Sequence, residues 1–306
     1  RPLNAHCRDE GQTMNQPFLS VVIATFNVAE VLRECLHSLA SQTFRDFEVV
    51  IQDGASTDGT LAVAQEAAGR LPRLSLASVA DSGIYDAWNR ALPRVTGDWV
   101  LFLGSDDTLA GPDVLAQCAR RLADLPPQVL YACGDALEVY PDGSSRAVTC
   151  TAEGATRRMA DHIPFCHSSL WHRACLFEAR HFDATLRIAA DYDLICRTWP
   201  HDGVGHTLGI TVTHMGVGGV SSSPAHRLRT QWELVRVAAR HGHGAFSRRR
   251  LVPLCKAVGL WVLCRLAGRR ASVMLDRLRV MRGLPPCWTT ADPARVGGRD
   301  SARGDA

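Results

Sequence analysis

Four apolar runs, each ending in small polar or acidic residues, constrain this chain more than any other feature. SVVIATFN (Ser20–Asn27) opens the series, and LSVVIATF is a continuous β-branched stretch of the kind a strand buried on both faces requires. FEVVIQD (Phe47–Asp53), LSLASVA (Leu74–Ala80) and DWVLFLGSDD (Asp98–Asp107) repeat the pattern. Between them lie segments with helical periodicity. AEVLRECLHSLASQ sets Val31, Leu32, Cys35, Leu36 and Leu39 on one stripe. DGTLAVAQEAAGRL reads as an Ala-rich helix capped near Thr57 or Asp58. SGIYDAWNRALPRV reads as a short helix ended by Pro93 and Gly97. Strand and helix alternate, so the expected fold class is α/β: a Rossmann-like, mostly parallel sheet flanked by helices. In such a sheet the loops at the carboxyl ends of the strands form the ligand crevice.

Further along, GPDVLAQCARRLADL predicts another helix and VLYACGDALEVY a pair of strands. Residues 150–225 are less regular and rich in His, Trp and Cys; from about Ala225 the chain becomes helical and basic. Charge is divided unevenly: residues 245–306 carry 13 Lys and Arg against 4 Asp, whereas the rest carries 21 against 27. An acidic body with a basic tail points to an anionic partner at the tail. The 11 cysteines are scattered without a CxxC pair, which favours a reducing cytosol over a disulfide framework. The opening RPLNAHCRDEGQT has no apolar signal core and reads as a disordered extension over 1–17, with Met14 a candidate start; 285–306, without periodicity, reads as a disordered tail.

The strand tips hold the candidate chemistry. Thr25 and Asn27 follow the first strand, Asp53 ends the second, Asp81 follows the third, and Asp106 and Asp107 end the fourth. Acidic groups gathered on one sheet edge repel unless a cation sits among them. A hard divalent cation suits such oxygen ligands and commonly shares them with substrate phosphates. Asp58 and Asp113 read as turn or cap residues. No GxxxxGK[ST] and no GxGxxG after the first strand is present, which argues against P-loop phosphate transfer and ordinary dinucleotide binding.

In order and spacing, SVVIATFN, QDGASTDGT, DSGIYDAWNRAL and VLFLGSDD resemble the inverting family 2 glycosyltransferases of the GT-A fold that build bacterial polysaccharides, over roughly residues 18–225. The resemblance implies a nucleotide-sugar-binding half over 18–110 and an acceptor-binding half over 111–225. It implies nucleotide-sugar contacts from Thr25, Asn27, Asp53, Ser56, Asp81, Asn89 and Arg90. It implies a divalent metal, Mg²⁺ or Mn²⁺, on Asp107, with Asp106 contacting the sugar or ribose. Trp88 replaces a common Met, Gly104 a common Asn, and the first acid of the DxD-like motif is absent. CHSSLWHRACLFEARHFDATLRIAADYDLICR carries the acceptor-side resemblance, with Ala190-Asp191 where the family has Glu-Asp. An attacking sugar hydroxyl must lose its proton, so by position Asp191 is the expected general base; a helix N-cap before YDLICR is the alternative. Asp193 is the rival base, His167 an acceptor-pocket candidate, and His214 a further metal or phosphate contact. The run Gly216, Gly218, Gly219 suits a loop that closes on substrate, or a plain connection.

In the basic helical region 226–284, the apolar stretch Leu251–Leu266 is broken by Pro253 and Lys256 and is too short to span a bilayer. RASVMLDRLRVMRG sets Met274, Leu278 and Met281 on one face and Arg270, Arg277 and Arg279 elsewhere. That arrangement suits either an interfacial helix on anionic lipid or a helix packed on the protein's own core. The expected activity is metal-dependent transfer from a nucleotide-sugar, a UDP-sugar in the first instance, to a lipid-linked or polysaccharide acceptor. The expected location is the cytoplasm, peripheral on the inner face of the membrane, with no nucleic-acid partner. The alternatives are a catalytically silent, membrane-associated subunit of a glycan assembly complex and a nucleotidylyltransferase, though the latter's Gly-rich loop is absent after the first strand.

Overall fold

The computed structural model describes residues 16–140, 143–154, 165–178, 181–199, 205–216, 224–243 and 247–282. The extension 1–15, the run 217–223 and the tail 283–306 lie outside the described residues, and with them most of the expected closing loop, whose Gly216 ends a strand, most of the expected N-terminal extension and all of the expected tail 285–306.

The β-branched runs fold as expected into β1 (Leu19–Thr25), β2 (Phe47–Asp53), β3 (Leu74–Ser78) and β4 (Trp99–Phe102). They pair in parallel in the order β3-β2-β1-β4. Their side chains alternate between faces. Val21, Ile23, Val49 and Ile51 join one core with α1 (Ala29–Ala40), α2 (Thr60–Ala67) and α4 (Val114–Ala123). Val22, Val50 and Phe102 join the other, with α3 (Ile84–Ala91) and α5 (Ala190–Thr198).

Beyond β4 the sheet becomes mixed. β5 (Thr108–Leu109), β6 (Tyr131–Val139), β7 (Ser145–Val148), β8 (Leu170–Arg173) and β9 (Gly205–Gly216) complete it. β8 runs antiparallel to β4 and β6, whereas β6 and β9 are parallel. VLYACGDALEVY is thus one long strand rather than a pair; its expected turn comes later, before β7. The register of β6 on β9 shifts on either side of Asp135. A Cβ at the neighbouring Gly134 would strike Val212 and the Ile210 carbonyl, so only glycine allows the strands to close there. The sheet runs unbroken across residue 110, because β4 pairs with β8 and β5 with β9.

The basic region forms α6 (Pro224–Arg240), α7 (Arg248–Ala267) and α8 (Arg269–Met281). Val237 of α6 belongs to the second core, and the buried Arg250 of α7 bonds to the Tyr192 hydroxyl at 3.0 Å. The α7 helix runs through both Pro253 and Lys256. No helix among the described residues is long and apolar enough to cross a membrane.

Candidate active site

The parallel strands bring Thr25, Asp53 and Ser78 into one row, each paired with the next across β1, β2 and β3. The Asp53 carboxylate is fully buried and accepts four bonds at that row. Thr25 and Ser56 hydroxyls reach Oδ1 at 3.0 and 2.5 Å; the Ser56 N–H and the Ser78 hydroxyl reach Oδ2 at 2.9 and 2.6 Å. Burial alone pushes this carboxyl up, but the bonds from Ser56, Ser78 and Thr25 outweigh it and hold the group below its ordinary range. Asp53 is therefore the tie that sets the strand tips against one another. Replacing it with Ala takes this acceptor from the buried Thr25 hydroxyl and from the more exposed Ser56 and Ser78 hydroxyls, with an expected loss of about 2 kcal/mol in urea unfolding.

The loop after β1 is stitched to the loop after β2. The Asn27 N–H donates to Ser56 Oγ at 2.9 Å, the Thr57 N–H to Asn27 Oδ1 at 2.9 Å, and the Val28 N–H to Thr60 Oγ1 at 2.9 Å. Asn27 and Ala55 both take left-handed backbone conformations, φ 53° and 64°, which for Ala is strained. The N-cap position of α2 is Gly59 rather than Thr57 or Asp58; Asp58, one residue earlier, is a turn residue that accepts the N–H groups of Thr60 at 2.9 Å and Ala29 at 3.2 Å. Asp113 holds the N-cap position of α4, and its carboxylate instead accepts the Thr43 hydroxyl at 2.7 Å.

After β3, Asp81 accepts the Gly83 N–H at 2.8 Å, folding the chain into α3. Arg90 forms an ion pair with Asp86 one turn back, 3.1 Å, on a partly exposed face. Asn89 exchanges two bonds with the backbone of Phe182, both 2.9 Å, so its amide joins α3 to the acceptor-side segment. After β4, a Cβ at Gly104 would lie 2.7 Å from Asp107 Oδ2 and 3.2 Å from Asp106 Oδ1. Both carboxylates thus close over that glycine, and Asp107 is only 5% exposed. Nearby, burial and then the charges of Asp107 and Asp106 push the Cys35 thiol well up. His214 sits opposite Thr108 in the pairing of β5 with β9, next to this loop.

Among the described residues no group of three His, Cys, Asp or Glu side chains is gathered as a metal cage. Two converging carboxylates nevertheless fit Mg²⁺ or Mn²⁺, ions that leave coordination positions to substrate phosphates and water.

On the acceptor side, Asp191 lies in the first turn of α5, buried, and not at its N-cap, which is Ala189. Its Oδ1 faces the Tyr85 hydroxyl at 3.1 Å and the Tyr192 N–H at 2.8 Å. Burial pushes its carboxyl up to about 6, against the bonds from Tyr192 and Tyr85 and with a further push from the Glu233 charge. A carboxylate poised there can take a proton near neutral pH.

Asp193, two residues on, faces elsewhere. It is tied to Arg197, Arg240 and His241 at 2.9, 3.1 and 3.0 Å and serves as a structural anchor. Of the two acids, Asp191 is the one whose surroundings suit a base. His167 stacks on Trp88, ring centroids 5.1 Å apart, within an aromatic cluster that includes Phe102 and Phe182. Its Nε2 is shut from solvent with no hydrogen-bond partner, and burial pushes the ring down to about 3. His167 is therefore a neutral ring supporting α3.

Three contributors went unnoticed in sequence: Tyr85, Glu233 and Arg250. Tyr85 lies inside the GIYDAWN stretch, where the charged and amide residues and Trp88 carried the reading. Glu233 had a readable signal, being the only acid between Asp202 and Asp276.

A family model described as "Glycosyl transferase family 2" matches residues 20–171. A PGL/p-HBAD biosynthesis glycosyltransferase of Mycobacterium bovis is 38% identical over 188 residues, covering 60% of this chain and 70% of the relative. A chondroitin synthase of Pasteurella multocida is 31% identical over 59% of this chain but only 19% of its own. Among solved structures, the mannosyltransferase PcManGT of Pyrobaculum calidifontis, in complex with GDP-Man and Mn²⁺, has a TM-score of 0.60 at 21% identity, covering 89% of this chain and 82% of that one. TarS of S. aureus, residues 1–349 with UDP-GlcNAc, has a TM-score of 0.56 at 20% identity, covering 79% and 72%. This chain spans 44% of the longer TarS chain. The likeness to these structures establishes the GT-A fold.

Proposed function

This chain belongs to glycosyltransferase family 2, and from that membership we propose that it moves a sugar from a UDP-sugar to a lipid-linked or polysaccharide acceptor in a single inverting displacement. The observation that carries the mechanism is Asp191: a buried carboxylate held by Tyr85, with its carboxyl raised to about 6. Asp191 takes the proton of the attacking hydroxyl. The wall built on Asp53, Asn27 and Ser56 receives the nucleotide, with Asp81 and Arg90 at its rim. Asp107, with Asp106 beside it, would hold Mg²⁺ or Mn²⁺, which when bound supplies Lewis-acid stabilisation of the departing diphosphate. The PGL/p-HBAD biosynthesis name of the mycobacterial relative supports a glycolipid acceptor, and the chondroitin synthase name a polysaccharide one.

A screen of UDP-glucose, UDP-galactose, UDP-GlcNAc and GDP-mannose for Mn²⁺-dependent hydrolysis tests this reading. Turnover of at least one UDP-sugar is expected. Metal-dependent binding with no turnover of any donor would favour the silent-subunit alternative.

The same reading seats the protein on the cytoplasmic face of an anionic membrane. Of the 14 large hydrophobic side chains exposed among the described residues, 11 fall between Leu251 and Met281. Leu266 and Met281 are 83% and 74% exposed, amid Arg265, Arg270, Arg277 and Arg282. Apolar side chains interleaved with arginine match an interfacial helix. Cosedimentation with phosphatidylglycerol vesicles, weakened by salt and absent with phosphatidylcholine, is the expected result.

A further inference from the structure

The α5 helix begins without a cap of its own. Ala189, at its N-cap position, has no side-chain oxygen, and the backbone N–H groups ahead of the helix would otherwise be orphaned. Another helix satisfies them. Glu233 of α6, 6% exposed, accepts the Arg187 N–H at 3.0 and 3.1 Å, the Ile188 N–H at 2.8 Å and the Ala189 N–H at 3.0 Å. The Ile188 carbonyl in turn accepts the Tyr85 hydroxyl at 2.6 Å, the same hydroxyl that faces Asp191. One carboxylate thus fixes the turn, the turn fixes the tyrosine, and both bear on the carboxylate two residues beyond Ala189.

We propose that Glu233 is a positioning residue for the transfer reaction: it clamps the turn that carries Asp191 and makes α6 part of the catalytic centre. The inference rests on the reading of Asp191 as the base. A carboxylate at a helix start is favoured by the helix dipole, which suits Glu233 to this place. Its charge also acts on Asp191 and makes that group harder to ionise. The other groups facing Asp191 are Tyr85 from α3 and Cys196 from α5 itself. Arg250 of α7 reaches the neighbouring Tyr192, while the Asp193 charge is matched by Arg197, Arg240 and His241. Glu233 is the carboxylate from another element that pushes the Asp191 proton affinity upward.

The test compares Glu233→Gln, Glu233→Ala and Asp191→Asn in the full chain. Asp191 is followed by carboxyl ¹³C NMR titration, assigned by its loss in Asp191→Asn, alongside UDP affinity and UDP-sugar hydrolysis. Glu233→Gln removes the charge but keeps an acceptor oxygen, so it carries the test even if the alanine variant folds poorly. The Asp191 midpoint should move to lower pH in Glu233→Gln, with UDP affinity unchanged. The kcat should fall, by ~10²-fold in the alanine variant, as expected when a reacting group is misplaced by about 1 Å. An unmoved midpoint with unchanged kcat in Glu233→Gln overturns the inference while leaving the base intact. Full activity in Asp191→Asn overturns the base reading separately.

Discussion

Asp191→Asn is expected to lower transfer by ~10³-fold while making the folded protein more stable at neutral pH. Both effects come from one placement. The carboxyl is raised in the fold from its ordinary value of 3.8 to about 6, chiefly by burial. Ionising it therefore costs free energy in the folded state. That cost is absent below about pH 4, grows between about 4 and 6, and is complete above the folded value. A rise of that size corresponds to about 2–3 kcal/mol, the upper limit of what the neutral amide should restore at pH 8. Below pH 4 the variant and the parent should unfold alike. Urea titrations at pH 8 and pH 4 check the stability arm. The pH profile of kcat/KM in the parent, with an acid limb near 6, checks the catalytic one. A variant both active and no more stable at pH 8 would remove Asp191 from the mechanism.

Asp107→Asn is expected to be nearly as damaging for a different reason. Asp107 is buried beside Asp106 over Gly104, where two carboxylates share a space that a cation would neutralise. The amide keeps the shape and gives up the charge. Loss of the stabilisation of a departing diphosphate should lower Mn²⁺-dependent turnover by ~10³-fold. Calorimetry of UDP with and without Mn²⁺ separates this from misfolding. The parent should bind UDP more tightly with the metal, and the variant should bind it equally weakly either way. Equal metal enhancement in both proteins would place the cation elsewhere.

The donor half was largely legible in the sequence because parallel strands buried on both faces write long apolar runs whose ends are abrupt. Thr25, Asp53 and the Asp106–Asp107 pair could be placed on one edge from those ends alone. What the runs did not reveal is that Asp53 spends its acceptor capacity on Thr25, Ser56 and Ser78, since hydrogen-bond partners depend on register. The acceptor half was legible through its motif but not its support. His167 looked like a pocket residue because a lone histidine gives no sign of the Trp88 ring it stacks on. Asp191 and Asp193 could be separated only by helical geometry, which sends one toward Tyr85 and the other toward Arg197, Arg240 and His241. Glu233 escaped because its partners are backbone groups some 45 residues earlier, and backbone donors leave no mark in a sequence. The single β6 strand reads as a pair in sequence because its bulge at Gly134 resembles a turn.

The central claim is a single displacement driven by one base, and the anomeric configuration of the transferred sugar tests it most directly. With an α-linked UDP-sugar as donor, the ¹H NMR spectrum of the first product formed should show a β-anomeric proton. An α-configured first product would require a second displacement or a different nucleophile, and would contradict the account of Asp191.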